Sequence, residues 1–205
     1  MTDGKRSADV RGRVERAALR LFAERGKAGT TMRDIASLAG VSLGASYRHH
    51  ASKEALVASL FERAYADLAL SLERGMASGS FERRLSRLIS AAYEAFDEDP
   101  DLFSFLLLSQ HDHVSSIPDD SPGVPRLVRD LVRSALESGE LRRDGGLSIA
   151  SDAALRSAAI LGTFLQPAVS RVYGSLDEKL LPLAPRISSA ACAVAVAMAT
   201  PSIDR

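Results

Sequence analysis

Four side chains in the segment AGVSLGASYRHHASKEAL carry the hydrogen-bond donors that recognise a phosphate backbone. They are Tyr47, Arg48, His49 and Lys53. A phenol, a guanidinium, an imidazole and an ammonium group can each hydrogen bond to a phosphate oxygen. The residues before them are small: Ser42, Gly44, Ala45 and Ser46. Small residues in the first half of a helix let its backbone approach base edges in the major groove. The segment therefore predicts a helix that binds nucleic acid.

The sequence HDH, at His111, Asp112 and His113, indicates a different chemistry. Imidazole and carboxylate ligands can hold a divalent ion that activates water in helical phosphohydrolases. On a helix, however, positions 111 and 113 point about 200° apart and cannot share an ion without a break in the helix. The other two histidines, His49 and His50, lie in the segment that predicts nucleic-acid binding. We therefore predict a protein that is not an enzyme and has no cofactor or metal, with a His-Asp metallohydrolase as the alternative.

Other catalytic signatures are missing from the sequence. It contains no Gly-rich phosphate loop, no Gly-x-Ser-x-Gly elbow and no Cys-His pair. Its single cysteine, Cys192, excludes an internal disulfide and a zinc site built from cysteines, and we expect it to be a small buried hydrophobic residue.

Short helices are predicted on both sides of the small-residue segment. A first helix ends at Arg25-Gly26, and Thr31 with Asp34 forms a variant of the capping box that starts a second helix of about two turns. Gly40 suits the positive φ of a sharp turn, and Ser42 is a good N-cap for a third helix. Ser52 caps a fourth helix. Two short helices joined by a glycine-containing turn are typical of a helix-turn-helix DNA reader.

The segment TTMRDIASLAGVSLGASYRHHASKEAL resembles the N-terminal signature of the tetracycline-repressor (TetR) family of transcriptional regulators. The resemblance covers about residues 10 to 62. It implies an all-α fold with a three-helix helix-turn-helix DNA-binding domain at residues 1–52. A larger helical domain at residues 53–205 would then bind an effector and form the dimer. Ser46 and His50 depart from the family pattern, which usually has a large apolar residue and an aromatic there, and this predicts weaker anchoring of the recognition helix.

Carried over position by position, the resemblance implies one set of DNA-binding residues: Thr31, Arg33, Ser42, Leu43, Gly44, Ala45, Tyr47, Arg48, His49 and Lys53. Thr31 would contact a phosphate, and Arg33 a phosphate or a guanine edge. The groove would be faced by Ser42, Leu43, Ala45 and Arg48, and the DNA backbone by Tyr47, His49 and Lys53. Because an aliphatic side chain makes only apolar contacts, the natural target of Leu43 is a thymine methyl group.

The formal charge of the chain is zero, but it is divided unevenly. Residues 1–60 contain eleven Lys or Arg and six Asp or Glu, which gives +5, and the remainder carries −5. A basic N-terminal part followed by an acidic remainder indicates that only the N-terminal part binds a polyanion.

The remainder of the chain is predicted to be helical, with helices at about 53–75, 81–97, 100–113, 124–138, 148–173 and 177–199. Pro167 is expected to kink or interrupt the helix that contains it. The last two helices are rich in Ala, Gly and Ser, and the final one is apolar on nearly every side. It is either a central core helix or part of a four-helix arrangement with a second subunit. The resemblance implies the second arrangement, a homodimer on a palindromic operator.

Aromatic and long aliphatic residues concentrate in the middle of the chain. The resemblance places a small-molecule pocket here, and its candidate ligand-binding residues are Tyr93, Phe96, Phe103, Leu107, Gln110, His111, Phe164 and Gln166. A mostly apolar lining suits a small hydrophobic effector, although these residues could simply fill the core. The sequence thus predicts a ligand-responsive repressor, with a repressor that needs no effector as the alternative.

The composition, with 46 % hydrophobic residues, is that of a globular protein. The longest apolar run, residues 190–199, has ten residues, about half of what a helix needs to span a bilayer. The first twenty residues mix both signs of charge and lack the apolar centre of a secretory signal. We therefore expect a cytoplasmic protein without a membrane segment.

Overall fold

The computed structural model describes residues 3–76, 78–113, 123–143 and 145–198, and its side chains except those of residues 3–7 and 110–113. These residues form helices and no strand, which confirms the predicted all-α class. In chain order the helices of the described residues are α1 Asp3–Arg25, α2 Met32–Ala39, α3 Leu43–His49, α4 Lys53–Gly75, α5 Phe81–Glu98, α6 Pro100–His113, α7 Val124–Ser138, α8 Ile149–Val172 and α9 Ala184–Ala197.

The last helix begins later than its sequence pattern predicts. A 3₁₀ turn occupies Leu181–Leu183, and α9 starts at Ala184 instead of near residue 177. Pro182 and Pro185 explain the difference, because a proline lacks an N–H and fits only the first turn of a helix. Pro167 does not interrupt α8, which continues through it to Val172.

The described chain divides into two compact units. The first runs to Tyr65 and resumes at Asp99, so it contains α1 to α3, the first half of α4, and α6. The second starts at Ala66 and contains the rest of α4 with α5 and α7 to α9. The boundary predicted between residues 52 and 53 lies at the start of α4, whereas the two units divide within α4, after Tyr65.

Aromatic rings hold the first unit together. The Phe105 ring of α6 lies 5.8 Å from the Phe22 ring of α1 and 6.5 Å from the Phe61 ring of α4, measured between centroids. The Phe61 ring also stacks on Tyr65 at 5.3 Å. Such pairs stabilise a fold beyond the burial of their area. The position of α1, against which α2 and α3 pack, is therefore fixed by α4 and α6.

Polar side chains join the helices of the second unit. The Tyr93 hydroxyl donates to the carbonyl of Phe164 at 2.8 Å, and burial raises the pKa of that hydroxyl. The Asp97 carboxylate accepts from the backbone N–H groups of Leu180 and Leu181 at 3.0 and 2.9 Å, which holds the 3₁₀ turn to α5. None of the helices in the described part of the chain is long and apolar enough to cross a membrane.

The fully buried Arg156 of α8 is the largest side chain in the core of the second unit. Its Nε donates to the Asp152 Oδ1 at 2.6 Å and its Nη2 to the Arg142 carbonyl at 2.9 Å. Its Nη1 donates to the carbonyl of Ala195, in the last turn of α9. The last four carbonyls of a helix have no N–H donors within it, so Arg156 caps α9 from within the core.

Candidate DNA-binding site

The start of α2 is built by Thr31 and Asp34, as the sequence predicts. The Thr31 side chain accepts from the Asp34 N–H at 3.2 Å, and the Asp34 carboxylate accepts from the Thr31 N–H at 2.9 Å. This confirms the capping box. The Thr31 hydroxyl also donates to Asp34 at 2.6 Å. These bonds lower the pKa of the Asp34 carboxyl, so the cap is fully formed at neutral pH.

Gly40 and Arg13 set the turn between α2 and α3. Gly40 has φ +63°, the left-handed conformation expected of it, and a Cβ there would lie 3.0 Å from the Arg13 guanidinium. Arg13 donates through Nε to the Ala39 carbonyl at 2.9 Å and through Nη2 to the Gly40 carbonyl at 2.6 Å. The exposed C-terminal carbonyls of α2 are thereby tied to α1, which fixes the angle at which α3 leaves the turn.

One side of α3 faces outward and carries most of the predicted DNA-binding residues. The Ser42 side chain caps the helix by accepting from the Ala45 N–H at 3.1 Å. Gly44 and Arg48 are exposed, Tyr47 is 46 % exposed, and Leu43 and His49 are half-buried. On α2, Thr31 and Arg33 are exposed as well. The fold thus brings eight of the ten predicted residues, Ser42 among them, to the surface of one compact unit.

Two of the predicted DNA-binding residues have structural roles within the first unit, and their contact with DNA stays a prediction. Ala45 does not face outward, because it is buried in the core beside Ser46. The helical period of α3 turns positions 45, 46 and 50 inward. The Lys53 ammonium group donates to the carbonyls of Lys27 and Thr30 at 2.8 and 3.0 Å. Lys53 therefore holds the start of α4 to the turn before α2, a role that the sequence did not reveal.

A network of polar residues surrounds Glu15 of α1 near the end of α3, and the side chains of Glu15 and His50 are buried in it. The Glu15 carboxylate accepts from Arg11 Nε at 2.9 Å and from Arg63 Nη1 at 3.0 Å. Burial raises the pKa of Glu15, but the hydrogen bonds and charges of Arg63 and Arg11 outweigh it, so the pKa is lowered. His50 is buried beside it, with Nε2 lying 3.7 Å from Oε1 of Glu15 and forming no hydrogen bond.

This network predicts that acid destabilises the first unit. Burial lowers the pKa of His50 below 6.5, against the attraction of Glu15, and the charges of Arg11, His49 and Arg63 lower it further. The unfolded chain then binds the proton more tightly than the folded chain, so acidification favours unfolding. The stabilising contribution is complete above pH 6.5 and is lost as the pH falls through the folded pKa.

We expect the free energy of unfolding to fall between pH 7 and pH 5, and His50→Phe to flatten this dependence. Glu15 contributes separately, because its lowered pKa stabilises the fold and this stabilisation is lost as the pH falls below 4.5. Denaturant titrations from pH 7 down to about pH 3 measure both. A dependence between pH 7 and pH 5 as steep in His50→Phe as in the wild type would contradict the assignment to His50.

The predicted effector-binding residues do not form one cluster within either unit. Tyr93, Phe96 and Phe164 are buried in the second unit, where Gln166 is exposed. Phe103 and Leu107 are buried in the first unit. The side chains of Gln110 and His111 lie outside the described residues. The buried aromatic residues belong to the cores of the two units. Their role in binding an effector stays a prediction.

The metallohydrolase alternative depends on side chains at 111 to 113, which also lie outside the described residues. Among the side chains that the structure does describe, no group of three or more His, Cys, Asp or Glu is placed to hold a metal ion.

Comparison with known proteins identifies the family. The family model described as "Bacterial regulatory proteins, tetR family" matches residues 16–60. The transcriptional repressor KstR2 of Mycobacterium tuberculosis is 30 % identical over 141 residues, which cover 65 % of this chain and 70 % of that one. The chain belongs to the tetR family of bacterial regulatory proteins. Its relatives here are transcriptional regulators, which excludes the enzyme alternative.

Two other matches to this tetR-family chain are shorter or more distant. KstR2 of Rhodococcus jostii is 42 % identical over 81 residues, but the match spans only 40 % of that relative and 39 % of this chain. The regulator FadR of Bacillus subtilis, solved in complex with stearoyl-CoA, has a TM-score of 0.71 and 19 % identity, and covers 87 % of this chain and 96 % of that one. At this identity the likeness concerns the fold.

Proposed function

We propose that this tetR-family chain is a transcriptional repressor that binds a palindromic DNA operator as a homodimer and inserts α3 into the major groove. The observation that carries the proposal is the outward face of α3. It is small at its start and rich in hydrogen-bond donors at its end. Nothing lies within 4 Å of where a Gly44 Cβ would stand, so the fold itself does not require a glycine there. A close approach of the α3 backbone to DNA does require a glycine.

The charge distribution supports DNA as the partner. Residues 1–60 carry a formal +5 and the remainder −5. Neutralisation of phosphates by Lys and Arg releases counterions, so binding weakens steeply as salt rises. The ten residues predicted from the sequence remain candidates for this contact, except that Ala45 supports α3 from the core and the Lys53 ammonium group positions α4.

Exposed apolar side chains on the last two helices support the homodimer. Leu155 of α8 is 52 % exposed and Val196 of α9 is 62 % exposed. The two helices pack on each other within the second unit. Pairing of this surface with its copy in a two-fold dimer would bury these side chains and place two α3 helices on one side of the DNA.

Selection from a library of random duplexes tests the proposal. We expect the purified protein to enrich an inverted repeat whose half-sites are centred about one helical turn, or a multiple of it, apart. Binding to the enriched duplex should be stronger than to random competitor by a factor of about 10³ or more at physiological salt. Failure to enrich any sequence would contradict sequence-specific binding by α3.

Replacement of Leu43 by alanine is expected to change the preference at a single base pair in each half-site. An aliphatic side chain in the major groove contacts the thymine methyl group, and its loss should lower discrimination there by about 1 kcal/mol. Repeating the selection with Leu43→Ala measures the effect. An equal loss of affinity on all duplexes would show that Leu43 supports α3 instead of reading a base.

We further propose that a small hydrophobic effector regulates DNA binding. The support is the fold shared with FadR, whose solved complex contains stearoyl-CoA. A ligand that weakens operator binding tenfold must itself bind the DNA-bound dimer tenfold less tightly, which is about 1.4 kcal/mol of coupling. Long-chain acyl-CoA should raise the melting temperature of the free protein and lower its operator affinity. An unchanged operator affinity at saturation would favour the effector-independent alternative.

A further inference from the structure

A cleft between α7 and α8 in the second unit is lined by arginines and alanines. Its volume is about 530 Å³, within the usual range for small-molecule sites. The lining residues are Arg126, Arg129, Asp130, Arg133, Ala150, Ala153 and Ala154. None of them belongs to the predicted effector-binding set, so the cleft is independent of the proposed effector site.

The charged wall of the cleft is one face of α7. Arg126, Arg129 and Arg133 recur at spacings of three and four, so they point the same way. Asp130 is the single acidic residue among the described lining residues, and the lining therefore carries three positive charges against one negative. This excess of positive charge attracts anions. The part of the chain that contains it is acidic as a whole.

Asp130 also orients two of the arginines. Its Oδ2 lies 3.4 Å from Arg126 Nε and its Oδ1 lies 2.6 Å from Arg133 Nη2. A guanidinium has five N–H donors, and the bond to Asp130 occupies one on each arginine. The side chains of Arg126 and Arg133 stay 43 % and 50 % exposed. Both guanidinium groups are thus held at the cleft and accessible from solvent.

The opposite wall is the first two turns of α8, where Ala150 and Ala154 are exposed and Ala153 is buried. The Ser148 side chain accepts from the Ser151 N–H at 3.1 Å, and its carbonyl accepts from the Asp152 N–H at 2.9 Å. Helix geometry gives the N–H groups of Ile149 and Ala150 no acceptor within the helix. Asp152, the acidic residue of this turn, is buried and bonded to Arg156. The positive end of a helix dipole therefore adds to the three arginines.

We propose that this cleft is a binding site for a small organic molecule bearing phosphate groups. The guanidinium groups of the arginines bind the phosphates. Arg–phosphate pairs are bidentate and geometrically specific. A volume of about 530 Å³ leaves room beside the phosphates for an organic group against the alanines.

Calorimetric titration of the full chain with pyrophosphate and with ADP, at constant ionic strength set by chloride, tests the site. We expect saturable binding to the wild type, and Arg133→Gln and Arg129→Gln each to weaken it at least tenfold, because hydrogen bonds between charged groups are the strong ones. The matched control is Arg83→Gln, an exposed arginine of α5 outside the cleft, which should leave the binding unchanged.

Melting curves of the variants without ligand establish that they are folded. The proposal would be overturned if the wild type showed no saturable binding, or if Arg83→Gln weakened binding as much as the cleft variants do. The arginines of α7 would then form an ordinary solvated helix face. A random-sequence DNA duplex serves as a second probe. If the cleft variants weaken DNA binding but leave pyrophosphate and ADP binding unchanged, the surface recognises a polyanion and the small-molecule site is wrong.

Discussion

Arg156→Leu is expected to lower the free energy of unfolding of the second unit by about 3–5 kcal/mol. The substitution removes the cation from a buried ion pair and leaves the Asp152 carboxylate in the core without it, which is the costly way to break such a pair. It also removes the donor that caps the Ala195 carbonyl at the end of α9. For a chain of 205 residues, the melting temperature should fall on the order of 10 °C.

The double variant Arg156→Leu/Asp152→Leu separates the two causes. Because it removes both charges, we expect it to recover a large part of the lost stability. The exposed Arg83→Leu should change the melting temperature by less than about 2 °C. A loss in Arg156→Leu no larger than in this control would contradict the capping role of Arg156.

Arg48→Ala is expected to weaken binding to the selected operator about 30-fold or more, while leaving folding and dimerisation unchanged. Arg48 is exposed on the outward face of α3. A lost arginine contact costs about 1–3 kcal/mol, and a two-fold dimer loses it twice. Affinity for random duplexes should fall less, because there only the charge is lost.

Fluorescence anisotropy with the operator and with a random duplex measures both affinities. Arg83→Ala again serves as the control, since this arginine is equally exposed but belongs to the second unit. An unchanged operator affinity in Arg48→Ala would remove the end of α3 from the DNA interface.

The helix-turn-helix could be predicted from the sequence because its geometry depends on local chemistry. The capping box at Thr31 and Asp34, the positive φ of Gly40 and the N-cap at Ser42 all involve residues at most four positions apart. Such interactions leave a recognisable pattern in the chain. The same reasoning predicted α4, α6 and α7 with their observed bounds.

Long-range contacts left no comparable pattern. Arg13 and Lys53 each bond to carbonyls 23 or more positions away, and a bond to a carbonyl does not depend on the partner's side chain. The inward orientation of Ala45 was missed because an alanine fits a core as well as a groove. The delayed start of α9 was missed because its apolar pattern hid the effect of Pro182 and Pro185.

The arginine cleft could not be predicted from the sequence either. The sequence shows three arginines at helical spacing, which is also the pattern of an ordinary solvated face. Only the packing of α7 on α8 shows that they line a concave surface opposite a helix N-terminus. A pattern on one helix cannot predict which neighbour will lie across from it.

Dimethyl sulfate footprinting on the selected operator shows whether two α3 helices of one dimer lie in the major groove. The reagent methylates guanine N7 in the major groove and adenine N3 in the minor groove, so it distinguishes the two. We expect protection of guanine N7 in two patches, centred about one helical turn or a multiple of it apart and related by the symmetry of the site. Protection confined to adenine N3, or a single unpaired patch, would exclude the insertion of two α3 helices into the major groove.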